Sequence, residues 1–436
     1  MAKETDAAKP LGFWTCWSLV VGCMIGSGVF MLPTLLAPYG ILSFGGWIIA
    51  SLGSIALALV FGRLASRTNR YGGPYVYVKE HFGELPGFLV AWGYWISYVI
   101  GIPVVAIAFV GYLGVFFPAI AASSVYQCLS ALGITAVMTL VNVRGLKEMG
   151  FVQILMTILK LMPLLAIAAG SFLFGDVANL PPFNPSGQAP VVALAAVVLI
   201  TAWPFTGFEV VTLPAGSVTN PERTIPRALI FGMLAVTAVY LSATTAVMLL
   251  VPPASLAHST APFADAARVF GPWGPYVISA GALVATAGTL NGLIFTCGQM
   301  PMAVAIDKLA PRWLAHTNAG GSPHISLFIS SALGGVFLVL NYTKGLIGAF
   351  QFLLMMSTAI GLFYYLACAV AELRHSWRLS TAYAAIALAA ILYSLFALYG
   401  SGWEVFGWSS VLMLIGAPLY YLWRPRPDAA VATRPS

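Results

Sequence analysis

Long apolar runs separated by short polar turns occupy almost the whole chain. Twelve of them lie near residues 12–35, 43–62, 87–117, 124–142, 151–174, 191–216, 227–251, 273–306, 324–343, 346–371, 380–399 and 404–423. A bilayer core about 30 Å thick needs about 20 residues of apolar helix, so each run predicts one membrane-crossing helix. Runs three and eight are longer than that, which predicts tilt or extension beyond the lipid. The fold class expected is an all-α membrane protein of twelve transmembrane helices. No soluble domain is visible, residues 424–436 read as a disordered tail, and the polar first ten residues show no cleavable signal.

Composition sharpens this picture. Apolar residues make up 60% of the 436 positions and charged residues 8%, against about 25% charged in a soluble domain. So few charges cannot cover a water-facing surface. The net charge of +7 does not point to nucleic acid, because the basic residues stand singly or in pairs between apolar runs, as in membrane loops. With the N-terminus placed in the cytoplasm, seventeen of the twenty basic residues fall inside, Arg268 and Lys344 fall outside, and Lys160 lies within a span. That bias predicts both termini in the cytoplasm and a multi-pass protein of the cell inner membrane.

Two runs carry features that a plain anchor does not need. Run one contains Gly22-Cys23-Met24-Ile25-Gly26-Ser27-Gly28-Val29-Phe30 near its middle, and run six contains Trp203-Pro204-Phe205-Thr206-Gly207-Phe208-Glu209. Glycine weakens a helix and admits close approach to the backbone, and proline removes an amide donor and clashes with the preceding turn. Unwound backbone at membrane depth is tolerated only inside protein or along a cavity. Interruptions at corresponding positions of two halves are a sequence pointer to a transporter site. Their placement in spans one and six suits a 5+5 inverted repeat, residues 1–180 and 190–371, followed by two extra helices over 380–423. Ordinary helix packing is the competing explanation, since Gly and Pro are common in membrane helices.

A half-helix starting near Ser27 and Gly28 presents free amides and the positive end of its dipole to a carboxylate. The half-helix ending near Cys23, Met24 and Ile25 leaves carbonyls that suit an ammonium group. Together they fit the α-amino and α-carboxyl groups of an amino acid.

Glu209 is the one acidic residue in the middle of a span. A charge there costs roughly 2.5–3.5 kcal/mol on insertion scales, so the group suits a proton-linked gate, or is a neutral structural carboxylic acid bonded to the backbone of the broken helix. Lys160 is the one basic residue well inside a span; it either fills a cation site, cycles a proton, or snorkels to the surface. Trp203, directly before Pro204, offers a ring face to a substrate side chain, or is a core aromatic. The five cysteines form no CxxC pair, the five histidines sit in loops, and no metal, cofactor, nucleotide-loop or catalytic-triad pattern appears. An enzyme is therefore not expected. A channel would need a polar lining or charge rings, which are also missing.

These residues resemble the amino acid–polyamine–organocation superfamily, most closely its arginine/agmatine antiporter branch, over nearly the whole chain. The markers are Ile25-Gly26-Ser27-Gly28-Val29-Phe30, Gly72-Gly73-Pro74-Tyr75, Gly207-Phe208-Glu209, Asn220-Pro221-Glu222-Arg223-Thr224-Ile225-Pro226 and Asp307-Lys308-Leu309-Ala310-Pro311. The resemblance implies a leucine-transporter-type fold, alternating access, exchange or proton-linked uptake of amino acids or their amines, and a homodimer. It matches Ser27, Gly28 and Trp203 to substrate contacts, and the substrate-binding set expected is Cys23, Met24, Ile25, Gly26, Ser27, Gly28, Ser97, Ile102, Trp203, Thr206, Gly207 and Leu293. Glu209, with Tyr94 and Tyr364, corresponds to the family's inner gate. Three departures stand out. Leu293 replaces the arginine branch's tryptophan, Ile102 replaces its asparagine, and Lys160 has no counterpart there but resembles a sodium substitute in other members. The first two point away from arginine, towards a smaller or more apolar amino acid. Polyamine transport is the weaker alternative, because only Glu209 offers a carboxylate.

Overall fold

A computed structural model describes residues 12–26, 28–67, 73–145, 150–212 and 218–423. These build seventeen α-helices joined by short turns. The first half holds α1 (Phe13–Met24), α2 (Gly28–Leu36), α3 (Leu42–Arg67), α4 (Pro74–Phe82), α5 (Glu84–Phe116), α6 (Pro118–Ala122), α7 (Ser124–Val143) and α8 (Gly150–Phe174). The second holds α9 (Pro190–Ala202), α10 (Pro221–Leu250), α11 (Pro253–Leu256), α12 (Pro262–Ala266), α13 (Gly274–Ile306), α14 (His324–Asn341) and α15 (Gly345–Ser376). Last come α16 (Thr381–Tyr399) and α17 (Gly402–Trp423). Proline opens α4, α9 and α10, where its missing N–H would have had no helical partner anyway.

Among the described residues, eight helical stretches are long and apolar enough to cross a bilayer, or nine if the bent α1–α2 pair is one span. One stretch, His324–Ser376, is divided into α14 and α15 by a turn at Tyr342–Lys344. Lys160–Phe174 and Pro190–Phe205 are shorter apolar helices. The protein is thus a multi-pass membrane protein.

Helix α5 is the hub. Of its most apolar window 78% is buried, against 17% for α7 and 22% for α17, so α5 is wrapped by protein while α7 and α17 present leucine and valine to lipid. The core runs along α5 and its neighbours α13 and α15.

One end of the bundle is tied by a buried carboxylate. Glu372 on α15 is 1% exposed and takes Arg63 at 3.0 Å and Arg67 at 2.7 Å, both from α3. Arg63 also lies 3.4 Å over the ring of Tyr383 on α16. Replacing Glu372 with glutamine leaves both guanidinium groups without their charge partner. The two arginines are about a quarter exposed, so water offsets part of the loss. The expected destabilisation is about 1–3 kcal/mol, seen as a lower melting midpoint in detergent. An unchanged midpoint would show that the pair contributes nothing.

Candidate functional site

Helix α1 stops at Met24, and Ile25 turns extended with φ −75° and ψ 96°. The chain re-enters helix at Gly28, bent by 49°. Ser27, expected to face the substrate, lies outside the described residues. The second interruption lies across from the first. After α9 come a 3-10 turn at Trp203–Phe205, an extended Thr206, and Gly207 at φ +93°. A second 3-10 turn spans Phe208–Thr212. Only glycine takes the φ of residue 207 without strain. Two phenylalanines pin this broken stretch to α3. Phe205 sits between Trp47 and Tyr240, and Phe208 between Phe61 and Tyr365.

The two breaks touch. A Cβ on Gly28 would stand 2.7 Å from Trp203 Cδ1 and 2.9 Å from its Nε1. A Cβ on Gly26 would stand 2.8 Å from Thr289 Oγ1 on α13. Glycine is therefore required at both positions by contact rather than by conformation. The tip of the Trp203 ring reaches α5 at Gly101, where a Cβ would lie 3.0 Å from Cη2. Leu293 of α13 closes on the same point from 3.7 Å. Gly101 thus meets Trp203 and Leu293. Ile102 is fully buried and packs on Gly334 of α14.

Glu209 is completely buried. Its Oε1 accepts from Tyr98 at 3.3 Å and Tyr364 at 3.4 Å; its Oε2 accepts from Tyr365 at 2.8 Å and the Gly207 N–H at 3.1 Å. An ionised carboxylate is acceptor-only, and four donors converge on it here. Tyr94 makes none of these bonds. It stacks on Tyr98 at 4.6 Å and leans on Tyr364 at 5.5 Å. Ser97 spends its hydroxyl on the Tyr94 carbonyl, and its own carbonyl accepts from Ser357. Thr206 closes its turn on the Trp203 carbonyl at 2.7 Å.

The carbonyls at the end of α1 are not all open. Tyr240 of α10 donates to the carbonyl of Met24 and lies 3.4 Å from that of Pro204, so one hydroxyl staples the two breaks together. Of the three residues expected to bare their carbonyls, Met24 is therefore engaged. Met24 and Ile25 are buried. Cys23 is exposed, and its carbonyl lies 4.0 Å from the Cβ position of Gly207. Losing the Tyr240 hydroxyl strands a buried carbonyl at about 1–3 kcal/mol. Tyr240→Phe protein is expected to fold but to bind its substrate several-fold more weakly, as read by calorimetry. Unaltered affinity would remove Tyr240 from the site.

Beyond the breaks, α2 is packed inside protein. Every residue of α2 is buried. Tyr112 donates to the Phe30 carbonyl at 2.7 Å, the Phe263 N–H donates to the Tyr112 hydroxyl at 3.3 Å, and Thr34 donates to the Ser259 carbonyl at 2.8 Å. The segment carrying α11 and α12 thus packs on α2 and α5. Lys160 is 6% exposed on α8, with its ammonium 3.9 Å from the Cβ position of Gly288 on α13. It is held between those two helices.

Sequence reasoning missed Tyr98, Tyr365, Tyr240, Thr289 and Gly101. Tyr98 carries a signal, standing four residues after Tyr94 on the same helix face. So does Tyr365, next to Tyr364. Tyr240 had none, being one tyrosine in an apolar helix.

Comparison with known proteins adds the following. A family profile described as amino acid permease matches residues 11–421. The chain is 29% identical to the cadaverine/lysine antiporter of Escherichia coli strain K12 over 340 residues, covering 77% of this chain and 76% of that one. It is 28% identical to the putrescine transporter of the same strain, covering 92% and 93%. It is 30% identical to the arginine/ornithine antiporter of Pseudomonas aeruginosa, covering 96% and 92%.

Proposed function

The chain belongs to the amino acid permease family of the amino acid–polyamine–organocation superfamily, and on that premise we propose that it exchanges amino acids or their amines across the cell inner membrane by alternating access. The carrying observation is the contact of the two helix breaks, with Trp203 seated on Gly28 and Glu209 held by three tyrosines beside them. The substrate carboxylate takes the amides at the start of α2, where the dipole is positive. The ammonium group takes the remaining carbonyls at the end of α1, those of Cys23 and Ile25. The side chain lies along Trp203 towards Leu293 and Gly101.

The architecture proposed is twelve spans in a 5+5 inverted repeat with α16 and α17 added, and both termini in the cytoplasm, as the loop charges favour. The α2 end then faces outside. Glu209 with its tyrosines forms the gate, and proton linkage runs through it. Lys160 stands in for a cation between α8 and α13.

The pocket wall favours a neutral side chain. Leu293 and Gly101 offer no charge, and Glu209 already has four donors. The named relatives act on cadaverine and lysine, on putrescine, and on arginine and ornithine, so dibasic substrates and amines are the second reading. Proteoliposomes loaded with each amino acid or amine in turn, and assayed for uptake of the same labelled compound, separate the two. Acceleration by internal neutral amino acids supports the first reading, and acceleration only by dibasic compounds supports the second. Uptake indifferent to every internal load would rule out exchange.

A further inference from the structure

A cavity of about 250 Å³ lies away from the helix breaks, between α5, α13, α14 and α17. Its wall is almost wholly apolar, built on Phe88, Trp92, Trp95, Val304, Trp313 and Trp423, and it is open on one side. The deep polar atoms all point away from it. The Trp92 N–H donates to the Leu412 carbonyl at 2.8 Å, the Trp95 N–H to Ser330 at 2.9 Å, and the Ser326 hydroxyl to the Leu314 carbonyl at 3.0 Å. A cavity with no polar group to offer stays dry and takes hydrocarbon.

Two of the lining tryptophans are different. Trp313 is 45% exposed and Trp423 half-buried, and their indole N–H groups donate to no acceptor among the described residues. Arg312, directly before Trp313, is exposed and makes no ion pair among the described residues. Two lining tryptophans thus keep a donor to offer, and a guanidinium stands next in the chain to one of them. That combination matches a molecule with a hydrocarbon tail, ester carbonyls and a phosphate. Tryptophan belongs at the level of the headgroups, and a basic residue there attracts anionic lipid.

We propose that this cavity holds one acyl chain of an anionic phospholipid, with the ester carbonyls at Trp313 and Trp423 and the phosphate at Arg312. The site is separate from the helix breaks and depends only on the chain spanning a membrane. The lipid fills the gap between α17 and the α5–α13–α14 wall, so it sets how firmly α17 is held.

The test uses full-length protein stripped of lipid in detergent, then mixed with equal amounts of phosphatidylglycerol and phosphatidylcholine of matched chains. Native mass spectrometry counts what is retained. The wild type should keep one phosphatidylglycerol in preference. Arg312→Gln, a surface change, should keep a lipid but lower the preference about fivefold, the effect of about one basic residue at a membrane surface. Val304→Trp fills the cavity and should abolish the retained lipid. Equal retention of both lipids by the wild type overturns the proposal, as does unaltered preference in Arg312→Gln protein. A retained lipid in Val304→Trp protein places it elsewhere. A lipid-free, concentration-dependent dimer makes this face a self-interface instead. Lipid uptake only after deletion of residues 424–436 makes that segment the occupant. Each of these also overturns the proposal.

Discussion

Glu209→Gln protein should fold, reach the membrane and exchange substrate at least tenfold more slowly, with its pH dependence flattened. Glutamine keeps the shape of the side chain. Its amide oxygen can still take the Tyr365 hydroxyl and the Gly207 N–H, which approach Oε2 at 2.8 and 3.1 Å, while its NH2 group turns to Tyr98 and Tyr364, whose hydroxyls can accept. What disappears is the charge. Hydrogen bonds to a charged group are worth about 1.5–3 kcal/mol against about 1 for neutral pairs, and about 1.4 kcal/mol is a factor of ten. Four such bonds tie α5, α15 and the second break to one side chain, so weakening them changes how firmly the gate closes. Exchange in proteoliposomes between pH 5 and 8 measures both effects. A wild-type pH profile in the variant would remove Glu209 from proton coupling, and a wild-type rate would remove it from the gate.

The second large effect is expected from one methyl group. Gly28→Ala places a carbon 2.7 and 2.9 Å from two atoms of the Trp203 ring, closer than non-bonded carbons approach. Either Trp203 leaves its position or α2 moves off the break. Overpacking of this kind costs about 1–3 kcal/mol, and here the cost falls on the surface proposed to hold the substrate. Exchange should fall about tenfold or more, with little change in the amount of folded protein. Gly133→Ala on α7 is the control: nothing lies within 4 Å of its Cβ position, so the same chemical change should leave exchange as it was. If Gly28→Ala protein transports as the wild type does, the contact of the two breaks is not part of the site.

Much of this was legible in the chain. The apolar runs read as helices because only a helix satisfies its own backbone in lipid. Both breaks were legible because Gly26, Gly28, Pro204 and Gly207 each remove something a helix needs. Glu209 stood out because a lone carboxyl at membrane depth is costly to keep without partners.

Its partners were not legible. Three tyrosines from α5 and α15 reach it, across sequence separations of 111, 155 and 156 residues, and nothing in their neighbourhoods announces the meeting. Gly101 shows the same limit at finer scale. Nothing near it in the chain announces the Trp203 ring that reaches it. The Met24 carbonyl looked open, as at any helix end, until the fold brought Tyr240 to it.

The sequence by itself determined the solvent, the class of fold, the family and where the chain must unwind, because each of these follows from local chemistry: hydrophobicity, helix-breaking residues and short motifs. Only the packed fold decided which groups meet across the breaks and which side chains hold the backbone beside them. Those depend on distances between segments hundreds of residues apart, set by the packing of whole helices against α5 and carried by no single stretch of chain.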